Sequence, residues 1–70
     1  MREITVVDLL VAARRWQRIP LRTVARRMAT NRHHVRKFEC PGSDPTLSTI
    51  RRYALAIGAM VEFEVVDPDA

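Results

Sequence analysis

The sequence is poor in the residues that staple or punctuate small domains. It has one cysteine, Cys40, and two glycines, Gly42 and Gly58, in 70 residues. A lone cysteine excludes an internal disulfide and suits a reducing compartment, so an apolar core must hold the fold. Aromatic residues are limited to Trp16, Phe38, Tyr53 and Phe63. Trp16, Tyr53 and Phe63 are read as core residues rather than base-stacking platforms. No apolar run approaches the ~20 residues that span a bilayer. Asp8, Arg14 and Arg15 break the N-terminal apolar stretch, so no secretory signal and no membrane partner are expected. Acid is missing from the middle of the chain: no Asp or Glu lies between Leu9 and Phe38. There is no Gly-rich phosphate loop, no nucleophile–base pair and no carboxylate pair on a shared face, so the chain is not expected to be an enzyme. His33, His34 and Cys40 lack the paired spacing of structural zinc ligands, and neither a metal nor a cofactor is expected.

Positive charge fills the space that the acids leave. Net charge is +4 with a pI near 10.6. Arg14, Arg15, Arg18, Arg22, Arg26, Arg27, Arg32, Arg36 and Lys37 occupy the acid-free stretch, while the acids sit toward the ends. Such a block is an electrostatic footprint for a polyanion. A solvated basic face or a membrane surface would account for charge alone, so spacing must decide. The apolar fraction of 47% argues against wholesale disorder, and the length suits one domain over residues 1–70 with a marginal core.

The pattern predicts a mostly α domain of four helices with short N- and C-terminal strands. Residues 2–6 are β-branched in part and read as a strand, although Thr5-x-x-Asp8 resembles a helix capping box. A first helix runs from Val7 or Asp8 to about Gln17, with Leu9, Leu10, Ala13 and Trp16 as its apolar stripe. Pro20 breaks the chain. Leu21 to Met28 forms the second helix, Ala29-Thr30-Asn31 a turn, and residues 32–39 a third helix capped by Asn31. A turn-rich loop, Cys40 to Pro45, leads to a helix capped by Thr46, with Leu47, Ile50, Tyr53, Ala54 and Ile57 inward and Gly58 as its stop. Val61, Phe63 and Val65 then alternate with Glu62 and Glu64, which reads as a strand over 60–66.

Two short helices joined by a tight turn need a small residue where they meet and apolar residues at fixed positions beyond. Ala25 is the small residue, Val24 and Met28 complete the first contact surface, and Val35 and Phe38 supply the second. Residues 21–58 resemble the XRE/Cro-type helix-turn-helix family of phage repressors, Cro proteins and many bacterial regulators and antitoxins. Phe38-Glu39 is similar to that family's Ile-Glu pair. Asp44-Pro45-Thr46-Leu47-Ser48-Thr49-Ile50 is similar to its Pro-Ser-Leu-x-Thr-Leu entry to the fourth helix, and Tyr53-Ala54-Leu55-Ala56-Ile57-Gly58 to its Ala-x-Ala-Leu-Gly ending. The chain departs from the pattern at Ala29, where the family turn usually has Gly. It departs again at Arg22 and Arg32, where the family often has Gln, so guanine or phosphate contacts replace Gln–adenine pairing.

The resemblance implies a sequence-specific regulator, a Cro-like repressor whose helix 32–39 enters the major groove of double-stranded DNA in a bacterial or phage-infected cytoplasm. Arg32, His33, Arg36 and Lys37 would reach base edges, with phosphate contact as the alternative. Arg22, Asn31, Ser43 and Thr49 would contact the DNA backbone, as would Arg14 and Arg18, for which plain solvent exposure stays open. A homodimer would form through strand 60–66, burying Val61, Phe63 and Val65 and matching a pseudo-palindromic operator. An antitoxin that binds both DNA and a toxin protein is the alternative, and a protein-interaction module with a basic face is a third.

Overall fold

The computed structural model describes residues 4–62. These fold as four helices, α1 (Val6–Trp16), α2 (Leu21–Arg27), α3 (Arg32–Glu39) and α4 (Leu47–Ala56). Three of the helix starts are set by side chains that satisfy otherwise unpaired N–H groups. Thr5 opens α1 through a full capping box: the Asp8 N–H donates to Thr5 Oγ1 at 3.3 Å, and the Thr5 N–H donates to Asp8 Oδ2 at 2.9 Å. Asn31 Oδ1 accepts from the His34 N–H at 3.0 Å, and Thr46 Oγ1 accepts from the Thr49 N–H at 3.3 Å. Pro20 precedes α2 without a side-chain cap; its ring fixes a φ of −66° that leads into the helix.

The expected N-terminal strand over 2–6 is not formed where the chain is described. Ile4 and Thr5 lead into the helix, and Val6 is its first residue. The capping box explains the outcome, because it satisfies N–H groups locally whereas a strand would need a neighbouring ladder. Residues 60–62 form no strand either, and the remainder of the expected strand 60–66 lies outside the described residues. An isolated strand has no partner for its backbone groups, so alternation alone is not enough to form one.

Three helices end in the same motif. In each, the residue after the C-cap turns left-handed and two N–H groups fold back onto the last carbonyls. Arg18 (φ 57°), Ala29 (φ 55°) and Gly58 (φ 72°) hold the left-handed position. The returning bonds are Ile19 N–H to Arg14 O at 3.2 Å, Thr30 N–H to Ala25 O at 2.9 Å and Ala59 N–H to Ala54 O at 2.8 Å.

One core cluster unites the helices. Val7, Leu10 and Val11 come from α1, Val24 and Ala25 from α2 with Met28 at its cap, Val35 and Phe38 from α3, and Ile50, Tyr53, Ala54 and Ala56 from α4 with Ile57 after it. The expected inward stripe of α1 is therefore corrected. Leu9 is 62% exposed and Trp16 is 88% exposed, while Val7 and Val11 take the core positions beside Leu10. Leu47, the first residue of α4, is likewise exposed, and the buried residues of that helix begin at Ile50. Tyr53 is fully buried, as its sequence position suggested, and Phe63 lies outside the described residues.

Candidate nucleic-acid interface

The buried side of α3 is narrow. Val35 and Phe38 point into the core, and Phe38 stacks on Tyr53 with ring centroids 4.5 Å apart. Everything else on the helix except Glu39 is exposed: Arg32, His33, His34, Arg36 and Lys37. At 3.6 residues per turn, His33, Arg36 and Lys37 lie opposite Val35 and Phe38, with Arg32 and His34 on the flanks. No acid stands in the first turn to neutralise the positive end of the helix dipole. The exposed face of the helix thus carries Arg32, Arg36 and Lys37 with no acid among them.

Glu39 is the exception, and it fixes the far end of α3. It is the only acid between Asp8 and Asp44. Its carboxylate receives Arg14 Nε at 2.7 Å and Arg14 Nη2 at 3.2 Å, and Tyr53 Oη donates to it at 2.5 Å. Arg14 Nη1 also donates to Ile19 O at 2.9 Å. The Arg14 and Glu39 side chains are only 12% and 10% exposed. Burial by itself would lower the Arg14 pKa, but the hydrogen bonds and charge of Glu39 outweigh it, and the net displacement is upward. Burial pushes the Tyr53 hydroxyl well above the usual tyrosine range, and donation to the Glu39 carboxylate pushes it further. α1, α3 and α4 therefore meet at one charged hydrogen-bond cluster.

The backbone-contact candidates fall into separate groups. Arg22 and Arg18 are exposed, at the start of α2 and just past the end of α1. Asn31 is occupied in capping α3. Ser43 Oγ donates to Phe38 O at 2.7 Å and so ties the loop to α3, leaving the side chain half-buried. Thr49 Oγ1 lies 2.9 Å from Thr46 Oγ1 at the start of α4. His34, Lys37, Ser43, Thr46 and Thr49 line one groove of about 670 Å³ between α3 and the α4 start, with Asp44 on its wall. Arg14 stands apart: its guanidinium is held by Glu39 and the Ile19 carbonyl rather than exposed. Of the expected dimer residues, Val61 packs half-buried on its own core, and Phe63 and Val65 lie outside the described residues. Among the described residues no group of His, Cys, Asp and Glu could hold a metal ion, and no helix is long and apolar enough to cross a membrane.

Sequence reasoning missed the braces behind this face. Arg27 Nη1 donates to Ala56 O at 2.7 Å, and Arg52 donates to Met28 O. Each arginine thereby satisfies a carbonyl at the C-terminal end of the other's helix, where the dipole favours a cation. Gln17 Nε2 similarly donates to Ile57 O at 3.0 Å. The partners are far apart in sequence, so no local spacing signals them. Glu39 did carry a signal, as the one acid at the end of a long basic run.

Comparison with known proteins adds a family-level clue. The chain is 38% identical over 63 residues to Antitoxin HigA1 in two strains of Mycobacterium tuberculosis. The match covers 90% of this chain but 42% of each relative, so the chain spans less than half of their length. No family model matches the chain, and no solved structure matches it.

Proposed function

We propose that this chain binds double-stranded DNA through α3 and acts as the antitoxin of a toxin–antitoxin pair. The observation that carries the DNA reading is the cationic face of α3, displayed on a helix capped by Asn31 and anchored by Glu39. Rigid presentation matters because base readout needs side chains delivered at fixed positions in the groove. Arg36 and Arg32 act as bidentate donors to guanine, each providing about 1–3 kcal/mol of discrimination. His33 and Lys37 sit beside them. Arg22, Arg18 and the hydroxyl of Thr49 hold the phosphates, while Ser43 supports them by tying the loop to the Phe38 carbonyl, and the positive α3 terminus adds to the field. The antitoxin assignment is supported by the similarity to Antitoxin HigA1 across nine-tenths of the chain.

Selection of bound sites from random DNA tests the DNA reading. Wild-type protein should enrich one motif, and Arg36→Ala and Arg32→Ala should each relax it at a particular position. Affinity should fall linearly on a log–log plot against salt, as released counterions require. An unchanged motif in both variants would show that these arginines do not read bases. Absence of DNA binding even at low salt would point instead to a basic protein-interaction module. The antitoxin half is tested separately, by co-expression with the product of a neighbouring reading frame: the two should co-purify, and growth arrest by that product should be relieved. Operator binding without any such partner would favour a Cro-like repressor, the reading supported by the helix-turn-helix motifs at residues 21–58.

A further inference from the structure

His34 is exposed on α3, yet its ring is held in place and the DNA reading leaves it without a role. Its Nδ1 lies 3.2 Å from Thr30 Oγ1, one helical turn back. The rest of the ring lines the groove of about 670 Å³ that Lys37, Thr46 and Thr49 share. Among the described residues no side chain or carbonyl bonds to Nε2, so that nitrogen is left to the groove. A hydroxyl is a partner that suits a titrating ring. It donates to Nδ1 when that nitrogen carries a lone pair and accepts from it when it carries a proton. Thr30 therefore keeps the imidazole in one orientation through a change of charge.

We propose that Nε2 of His34 binds a DNA phosphate in this groove and that the ring takes up a proton as it does so, which makes DNA affinity rise as pH falls. The inference rests on the DNA reading and adds to it one contact and one means of regulation. The charged groups around the ring set the direction. Lys37 stands three residues further along α3 on the same groove, and the loop supplies Asp44 and the Cys40 thiol. The start of α4 supplies only the hydroxyls of Thr46 and Thr49, and His33 is the neighbouring ring, with centroids 6.1 Å apart. In the free protein Lys37 opposes a second positive charge in the groove and Asp44 favours one. A phosphate seated between Lys37 and the Thr49 hydroxyl tips that balance, because it gives the imidazolium an anion within hydrogen-bond reach. A neutral ring with its proton turned to Thr30 instead presents the phosphate with a lone pair. Imidazole is the side chain whose charge ordinarily changes between about pH 5 and pH 8. Binding favours the protonated ring, so the added affinity is present on the acid side and is lost as pH rises.

Fluorescence anisotropy with a labelled duplex carrying the motif that the wild-type chain enriches tests this. Between about pH 8 and about pH 5.5, wild-type affinity should rise by up to about tenfold, the scale of a one-unit pull on one proton. The log–log salt slope should steepen by about 0.9 at the acid end, for one more phosphate neutralised. His34→Gln should lose both changes. His33→Gln should bind less tightly at every pH and keep both. His34→Lys, a fixed cation, should bind at the alkaline end as tightly as the wild type does at the acid end. Thr30→Val keeps the ring and removes the hydroxyl that orients it, so its pH response should shrink at an unchanged Tm. The response should also appear on a random-sequence duplex, since a phosphate carries no sequence information. A response confined to the motif would make His34 a base contact and overturn the phosphate assignment. A response that survives in His34→Gln, or a salt slope that stays the same across the pH range, would overturn the proposal and leave the DNA reading standing. Failure to bind any duplex at low salt would remove both.

Discussion

Glu39 shows how much one side chain can organise. Its carboxylate gathers a guanidinium from α1 and a hydroxyl from α4, and it does so at the last residue of α3. Tyr53→Phe keeps the stack on Phe38 but removes the donor. Hydrogen bonds to charged groups contribute about 1.5–3 kcal/mol, and a loss in that range is expected in urea unfolding at neutral pH. The pH dependence has a definite sign. The folded-state pKa of Tyr53 is raised, so its contribution is fully present below the unfolded value of about 10 and is lost as pH climbs toward the folded value. The stability gap between wild type and Tyr53→Phe should therefore be flat below about pH 10 and narrow above it. A gap independent of pH up to alkaline unfolding would separate Tyr53 from the carboxylate. Arg14→Ala has a different expected signature from the solvent-exposed cations. It should lower stability by about 3 kcal/mol, the scale for breaking one half of a buried pair, and should affect DNA binding only through folding.

At the scale of elements, the turn between α2 and α3 is the weak link. Ala29 holds a left-handed conformation that disfavours any residue with a Cβ. Gly58 occupies the equivalent position after α4 without that cost. Ala29→Gly should accordingly stabilise the fold by up to about 1 kcal/mol, the glycine's own chain entropy offsetting part of the relief, and raise Tm by a few degrees. A lower Tm would show that the strain is relieved elsewhere in the turn. The elements themselves were largely legible, and the reason is locality. Asn31, Thr46 and Gly58 act within one turn of where they stand, and α3 begins and ends where its sequence signals place it. The strand expected at 2–6 lost to a capping box that was visible in the same residues. Trp16 and Leu9 could not be oriented from periodicity, because α1 carries apolar residues on two faces and Val7, Leu10 and Val11 fit the helical period equally well. The inward turn of Arg14 was hidden for another reason: its partner is 25 residues away. At the candidate interface the cations were readable as types and positions. Which of them are exposed and which are held by carbonyls depends on tertiary packing.

The whole molecule separates its positive charge into two populations. Arg32, Arg36, Lys37 and Arg22 face solvent without a structural task among the described contacts, whereas Arg14, Arg27 and Arg52 hold the helices together. A net charge of +4 therefore overstates neither the display nor the scaffold; it mixes them. The reciprocal pair Arg27 and Arg52 has a consequence for motion. Because each closes the end of the other's helix, fraying of α2 releases the brace on α4, and fraying of α4 releases the brace on α2. The two ends should open as one cooperative unit. In native-state hydrogen exchange, the amides of Thr30 and Ala59, which close the two helices, should share one opening free energy and respond together to denaturant. Arg52→Ala should then speed exchange at Thr30 as well as at Ala59, so that a change made within α4 is felt at the end of α2.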